Sequence, residues 1–151
     1  MQNRNAGKVY SLMLCYTVAA LAQTAQAHEC SLQRVAGQYG YTSGGTIVTP
    51  AVGPFAAVGT VTLTSTGTFT GAQTTSVAGN IYAETVNGTY EVNRDCTGGA
   101  TVYVYRGTTL VRTSVITLVF DNNTREFRSL FTTPGTAVNI LGHRTFVEDE
   151  D

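Results

Sequence analysis

Alternation, rather than helical periodicity, runs through the chain. Val58-Gly59-Thr60-Val61-Thr62-Leu63-Thr64 sets Val61 and Leu63 on one face between threonines. After the short connection Ser65-Thr66-Gly67 the pattern resumes in Thr68-Phe69-Thr70-Gly71-Ala72-Gln73-Thr74. A period of two is the mark of a half-buried strand, and no window carries a sustained helical stripe. Further strand segments are predicted at 35–43, 81–86, 89–92, 100–105, 110–120, 126–132 and 137–144. Turn chemistry separates them: Gly44-Gly45, Ala78-Gly79-Asn80, Asn87-Gly88, 95–99, Arg106-Gly107, Asp121-Asn122-Asn123 and Pro134-Gly135. Gly and Asn supply positive φ in such turns, and Pro pre-sets φ. Pro50, Pro54 and Pro134 all fall outside these segments, as a hydrogen-bonded ladder requires.

About eight short strands joined by tight turns predict an all-β fold, a single antiparallel meander. Closing the meander into a barrel removes its exposed edges, so an eight-stranded β-barrel is expected. A β-sandwich shares the same local signals and is the alternative. Composition agrees: 26 Thr, 17 Val and 16 Gly in 151 residues favour the pleated sheet, and the length suits one domain.

The first 27 residues read differently. Arg4 and Lys8 precede an apolar run over 9–22, and the segment closes on Ala25-Gln26-Ala27. A charged start, an apolar stretch and a small-x-small site predict a secretory signal peptide. About 14 apolar residues are too few for a bilayer span, so no stable membrane insertion is expected after cleavage. The expected organisation is a signal peptide at 1–27, a barrel domain at 28–147 and an acidic, solvated tail at 148–151. Secretion or a periplasmic location follows.

The mature chain would hold seven arginines, no lysine and ten acidic residues, a net charge of −3. No basic footprint for nucleic acid is present. Two cysteines remain, Cys30 and Cys96, and their even number in a secreted chain predicts a disulfide, separate thiols being the alternative. With His28 and His143 they lack zinc-ligand spacing, so no metal is expected.

Four stretches carry a resemblance. They are 53–63, the run Gly67-Thr68-Phe69-Thr70-Gly71, the block Asn87-Gly88-Thr89-Tyr90 through Asp95-Cys96-Thr97-Gly98, and Phe131-Thr132-Thr133-Pro134-Gly135-Thr136. Together they resemble a group of small secreted, mostly uncharacterised bacterial proteins, which are similar to the allene-oxide-cyclase-like, lipocalin-like eight-stranded β-barrels. The resemblance implies a barrel, and related barrels include cofactor-free cyclases that fold a flexible substrate in the lumen. It brings no settled activity, and fold alone does not fix function.

The sequence contains no G-x-S-x-G elbow, P-loop, G-x-G-x-x-G or H-E-x-x-H. His143 reads as a rim or surface residue, since no partner motif accompanies it. Candidate chemistry comes instead from strand faces. One face of 110–120 reads Arg112, Ser114, Ile116, Leu118 and Phe120, which predicts an apolar lumen with Arg112 and Ser114 towards a polar mouth. Phe69 brings Gln73 inward, Tyr90 and Val92 leave Glu91 outside, and Phe127 and Phe131 leave Arg128 outside. Tyr39, Gln73, Glu84, Tyr90, Tyr103 and Arg112 are therefore the candidate polar ligand contacts, with Phe69, Ser114 and Phe120 beside them. In the blander alternative Arg112 pairs with a rim acid and the tyrosines only pack.

Three functions fit: a barrel binding an apolar small molecule without a cofactor, a cofactor-free cyclase or isomerase using the same lumen, or an extracellular structural protein with a filled barrel. Thr-rich outer faces allow sheet-to-sheet association into a homo-oligomer.

Overall fold

The computed structural model describes residues 29–49 and 52–145. The predicted signal peptide and acidic tail lie outside them. One helical turn, α1 (Leu32–Val35), opens the fold and is capped by Ser31, whose side chain accepts from the Arg34 amide. Eight strands follow: β1 (Gly37–Ile47), β2 (Gly53–Leu63), β3 (Thr68–Val77), β4 (Asn80–Val92), β5 (Thr97–Arg106), β6 (Thr109–Asp121), β7 (Glu126–Phe131) and β8 (Thr136–Arg144). Each pairs antiparallel with its sequence neighbours, and β1 pairs with β8, so the meander closes as a barrel. The barrel and its meander order are as the sequence predicts. No helix among the described residues is long and apolar enough to cross a membrane.

The strand boundaries come out differently from the turn signals. Asn87-Gly88 is no turn: β4 runs straight through it and fuses the two predicted segments on either side. Gly88 faces Phe69 across the β3–β4 pair. A Cβ there would come within 2.8 Å of the Phe69 ring tip and would collide with the Thr101 carbonyl oxygen. The glycine makes room rather than a bend. Likewise Gly44-Gly45 lies within β1, where a Cβ at Gly45 would strike the Ala137 backbone of β8. Pro54 is the second residue of β2. At the strand's start its missing N–H is least costly, and its carbonyl accepts from the Ala78 amide at 2.8 Å. Val35, predicted to open the first strand, ends α1 instead and is fully buried.

These pieces close one end of the barrel. Tyr39 Oη lies 2.9 Å from the carbonyl oxygens of Val35 and Thr124, and accepts from Arg144 Nη2 at 3.0 Å. Below them Cys30 and Cys96 form the expected disulfide, with Cα atoms 5.0 Å apart. Tyr39, Phe120 and Phe127 pack edge-on, with ring centroids 5.4–6.3 Å apart. Ile116 and Leu118 of β6, Val61 and Leu63 of β2, Phe69 and Tyr90 continue this core along the lumen.

Candidate functional site

Between the aromatic floor and the open end the lumen keeps a cavity, with about 80 Å³ open to the centres of water-sized molecules. Its floor is Phe120 and Phe127, its walls include Val61, Phe69, Val86 and Ile116, and Phe55 and Phe131 stand towards the opposite end. Five polar side chains face it: Tyr41, Ser43, Gln73, Tyr90 and Arg112. Tyr90 is tied to the β2–β3 connection, its hydroxyl donating to the Thr64 carbonyl at 2.6 Å. Ser43 is committed to the fold, its hydroxyl donating to the Asn139 carbonyl at 3.0 Å.

The other three belong to one connected cluster. Tyr41 Oη donates to Gln73 Oε1 at 2.7 Å, and Gln73 Nε2 donates to Glu84 Oε2 at 2.9 Å. Glu84 Oε1 meets Arg106 Nε at 2.9 Å, and Oε2 lies 3.5 Å from Arg112 Nη2. The Glu84 side chain is fully shielded from solvent, while those of Arg106 and Arg112 keep 35% and 21% of their exposure. Arg106 lies flat on Tyr82, its guanidinium carbon 3.4 Å from the ring centroid. Arg112 stands 5.5 Å from the centroid of Phe55.

Cross-strand register builds this cluster. Tyr41 is opposite Gly59, Gly59 opposite Gln73, and Gln73 opposite Glu84. With no side chain at Gly59, the Tyr41 ring reaches over β2 to Gln73; a Cβ there would crowd the Gln73 Cβ at 2.8 Å. Val104 is opposite Arg112, and Arg106 follows on the same inner face of β5. Between them the pairing slips by one residue on the β6 side of Tyr105, past Val111.

Burial sets the protonation of these groups. Loss of water pushes the Tyr41 phenol well above the ordinary tyrosine range, opposed by the nearby Arg112 charge and reinforced by Glu84. Burial also lowers Arg112, against which the Glu84 carboxylate works. Tyr90 is pushed up to about 12, again chiefly by burial. At neutral pH the phenols are therefore neutral hydrogen-bonding groups and Arg112 is a cation.

Of the residues predicted from the sequence, Phe69, Gln73, Tyr90, Arg112 and Phe120 line the cavity. Glu84 is directed inward and reaches the cavity through Gln73 and Arg112. Ser114 points inward and is 1% exposed, but it does not line the cavity, and its hydroxyl has no hydrogen-bond partner. Tyr39 does not line it either: its hydroxyl and ring seal the closed end, beneath the aromatic floor. Tyr103 is on the wrong face. It lies between inward Val102 and Val104, so parity sends it outside, and it takes no part in the cavity.

The acid that pairs with Arg112 is buried Glu84, not a rim residue. His143 is exposed, with its Nδ1 3.4 Å from Glu126, as a surface reading expects. Tyr41 and Arg106 were missed. The parity that carries Tyr39 inward also carries Tyr41, and the parity of Val104 carries Arg106, which the Gly107 turn signal disguised.

Among the described residues no group of three His, Cys, Asp or Glu side chains is placed to hold a metal ion. No family model matches the chain, and no curated protein or solved structure matches it either.

Proposed function

We propose that the barrel binds a small apolar molecule in its lumen, without a cofactor. The observation that carries this reading is the cavity itself. Aliphatic and aromatic side chains wall it, and Tyr41, Gln73 and Arg112 converge on it from three strands. Small-molecule sites commonly combine such a wall with a few orienting polar groups. A cavity of about 80 Å³ for water centres exceeds by several-fold the 10–15 Å³ or so that one water needs. The disulfide supports an oxidising location, secreted or periplasmic.

A second reading, cofactor-free cyclisation or isomerisation in the same lumen, is favoured by one feature. Arg112 faces the cavity, where a developing negative charge would meet a preorganised cation. The resemblance to allene-oxide-cyclase-like barrels points the same way.

The test is a panel of compact apolar compounds, including toluene, benzyl alcohol and benzoate, in thermal-shift and native mass spectrometry. A ligand at a hundred times its Kd stabilises by about 2.7 kcal/mol, a readily measured shift. Val86→Phe, which fills the cavity from its wall, should abolish the shift. If no compound raises the melting temperature, both the binding and the cyclase readings fail and a structural barrel remains. Conversion of a bound compound, followed by product analysis, would favour catalysis over binding.

A further inference from the structure

We propose that the lumen ligand is a monocarboxylate, its carboxylate held by Arg112 and its apolar body no larger than one ring. This rests on the lumen-binding reading above and names the class of molecule bound.

The first argument is charge balance. Two arginines and one glutamate meet at the polar side of the lumen, leaving one positive charge in excess. Each carboxylate oxygen already holds one close partner: Arg106 takes Oε1 at 2.9 Å, and Gln73 takes Oε2 at 2.9 Å. Arg112 is left with a single contact to Glu84, at 3.5 Å, longer than an ordinary charge-assisted hydrogen bond. Arg106, stacked on Tyr82, is the partner that neutralises Glu84. The unneutralised charge is therefore Arg112, the only one of the two arginines that lines the cavity.

The second argument is chemical fit. Arginine presents five donors in a planar fork that matches a carboxylate, and Nη2 alone touches Glu84. A partly desolvated cation gains most from an anion brought by the ligand, because water competes weakly there. Tyr41, a neutral phenol beside Arg112, adds a polar group that a carboxylate tolerates. The remaining wall offers no polar side chain to a second charged group except Gln73, Ser43 and Tyr90, all already bonded. That favours one charge over two.

Size follows from the cavity. About 80 Å³ is roughly half of an apolar cavity of about 150 Å³ that takes benzene, so the apolar body is at most one ring, seated with some outward adjustment of the wall.

The experiment is isothermal titration of the full mature protein, disulfide intact, with benzoate, benzamide, benzyl alcohol and benzylamine at pH 7. Benzoate should bind about 10–100-fold more tightly than benzamide or benzyl alcohol, the range expected for a hydrogen bond to a charged group. Benzylamine, a cation, should bind more weakly than either. In Arg112→Gln the preference for benzoate over benzamide should fall to within about threefold while benzyl alcohol binding is retained. Benzamide equal to benzoate on the wild-type protein would overturn the proposal yet leave lumen binding standing. No binding by any of the four would defeat the lumen reading as well. The wild-type comparison decides the matter even if Arg112→Gln does not fold.

Discussion

Glu84→Gln tests whether the polar cluster is held by charge or merely by shape. The glutamine is nearly isosteric and keeps an acceptor for Gln73, so packing is retained while one negative charge is lost. Arg106 and Arg112 then lie side by side with no counter-charge from the Glu84 position. Removing one partner of a fully buried ion pair costs about 3–5 kcal/mol. Here both guanidinium groups keep partial contact with water, which screens them, so the expected loss is reduced to about 2–3 kcal/mol. For a domain of this size that lowers Tm by roughly 6–15 °C. Urea unfolding at pH 7, followed by far-ultraviolet circular dichroism, measures it. The double variant Glu84→Gln with Arg106→Met removes one of the two stranded charges, and with it their mutual repulsion, and should recover at least half of the loss. A single variant within about 0.5 kcal/mol of the parent would refute the reasoning. So would a double variant no better than the single.

Three further outcomes are expected. Phe120→Ala, at a site 3% exposed and packed on Tyr39 and Phe127, should cost about 3–5 kcal/mol in urea unfolding, because the floor of the cavity cannot collapse around the void. Reduction of Cys30–Cys96, whose partners are 66 residues apart, should cost up to about 4 kcal/mol of chain-entropy stabilisation; equal unfolding midpoints with and without reductant would contradict this. The tyrosines give a pH dependence. Tyr90 titrates near 12 in the folded state, and Tyr39 and Tyr41 are raised too, above about 10 for the unfolded chain. The folded state therefore binds more protons there, so stability should be full below pH 10 and fall as pH rises towards 12. Phenolate absorbance at 295 nm should then rise in two stages, the second coinciding with unfolding; one stage completed before loss of circular dichroism would contradict it.

Side-chain parity was the legible part of this fold. Once Ile116, Leu118 and Phe120 define the inner face of β6, Arg112 and Ser114 must share it, and the barrel places them there. The same rule on β3 places Gln73 with Phe69. What misled was glycine. At Gly88 and Gly45 it signals a turn by composition, but each is required by a neighbour on a paired strand, the Phe69 ring of β3 and the β8 backbone respectively, and only the second is brought close by closure. Tyr103 was misplaced because its strand alternates valines with tyrosines, Val102-Tyr103-Val104-Tyr105. Both residue types belong on either face until neighbouring strands decide. The Glu84–Arg106–Arg112 cluster joins three strands through registers that no local signal encodes.

That cluster is hard to explain by stability alone. Buried ion pairs gain little over well-packed apolar residues of similar volume, because desolvation offsets most of their attraction. The neighbouring lumen is already apolar, so leucine or methionine at positions 73, 84 and 112 would continue the core without strain on the ladder. Instead β1, β3, β4, β5 and β6 each supply a polar side chain, and Gly59 of β2 is left bare so that Tyr41 can span the strand. One use of such a network is to fix strand register, since a one-residue slip would strand Glu84 among apolar groups. Register needs only a neutral, closed network, and Glu84 with Arg106 and Gln73 supplies that. Arg112 is surplus to it. A positive charge that the fold does not need, at the wall of an apolar cavity, is what the proposed carboxylate ligand would neutralise.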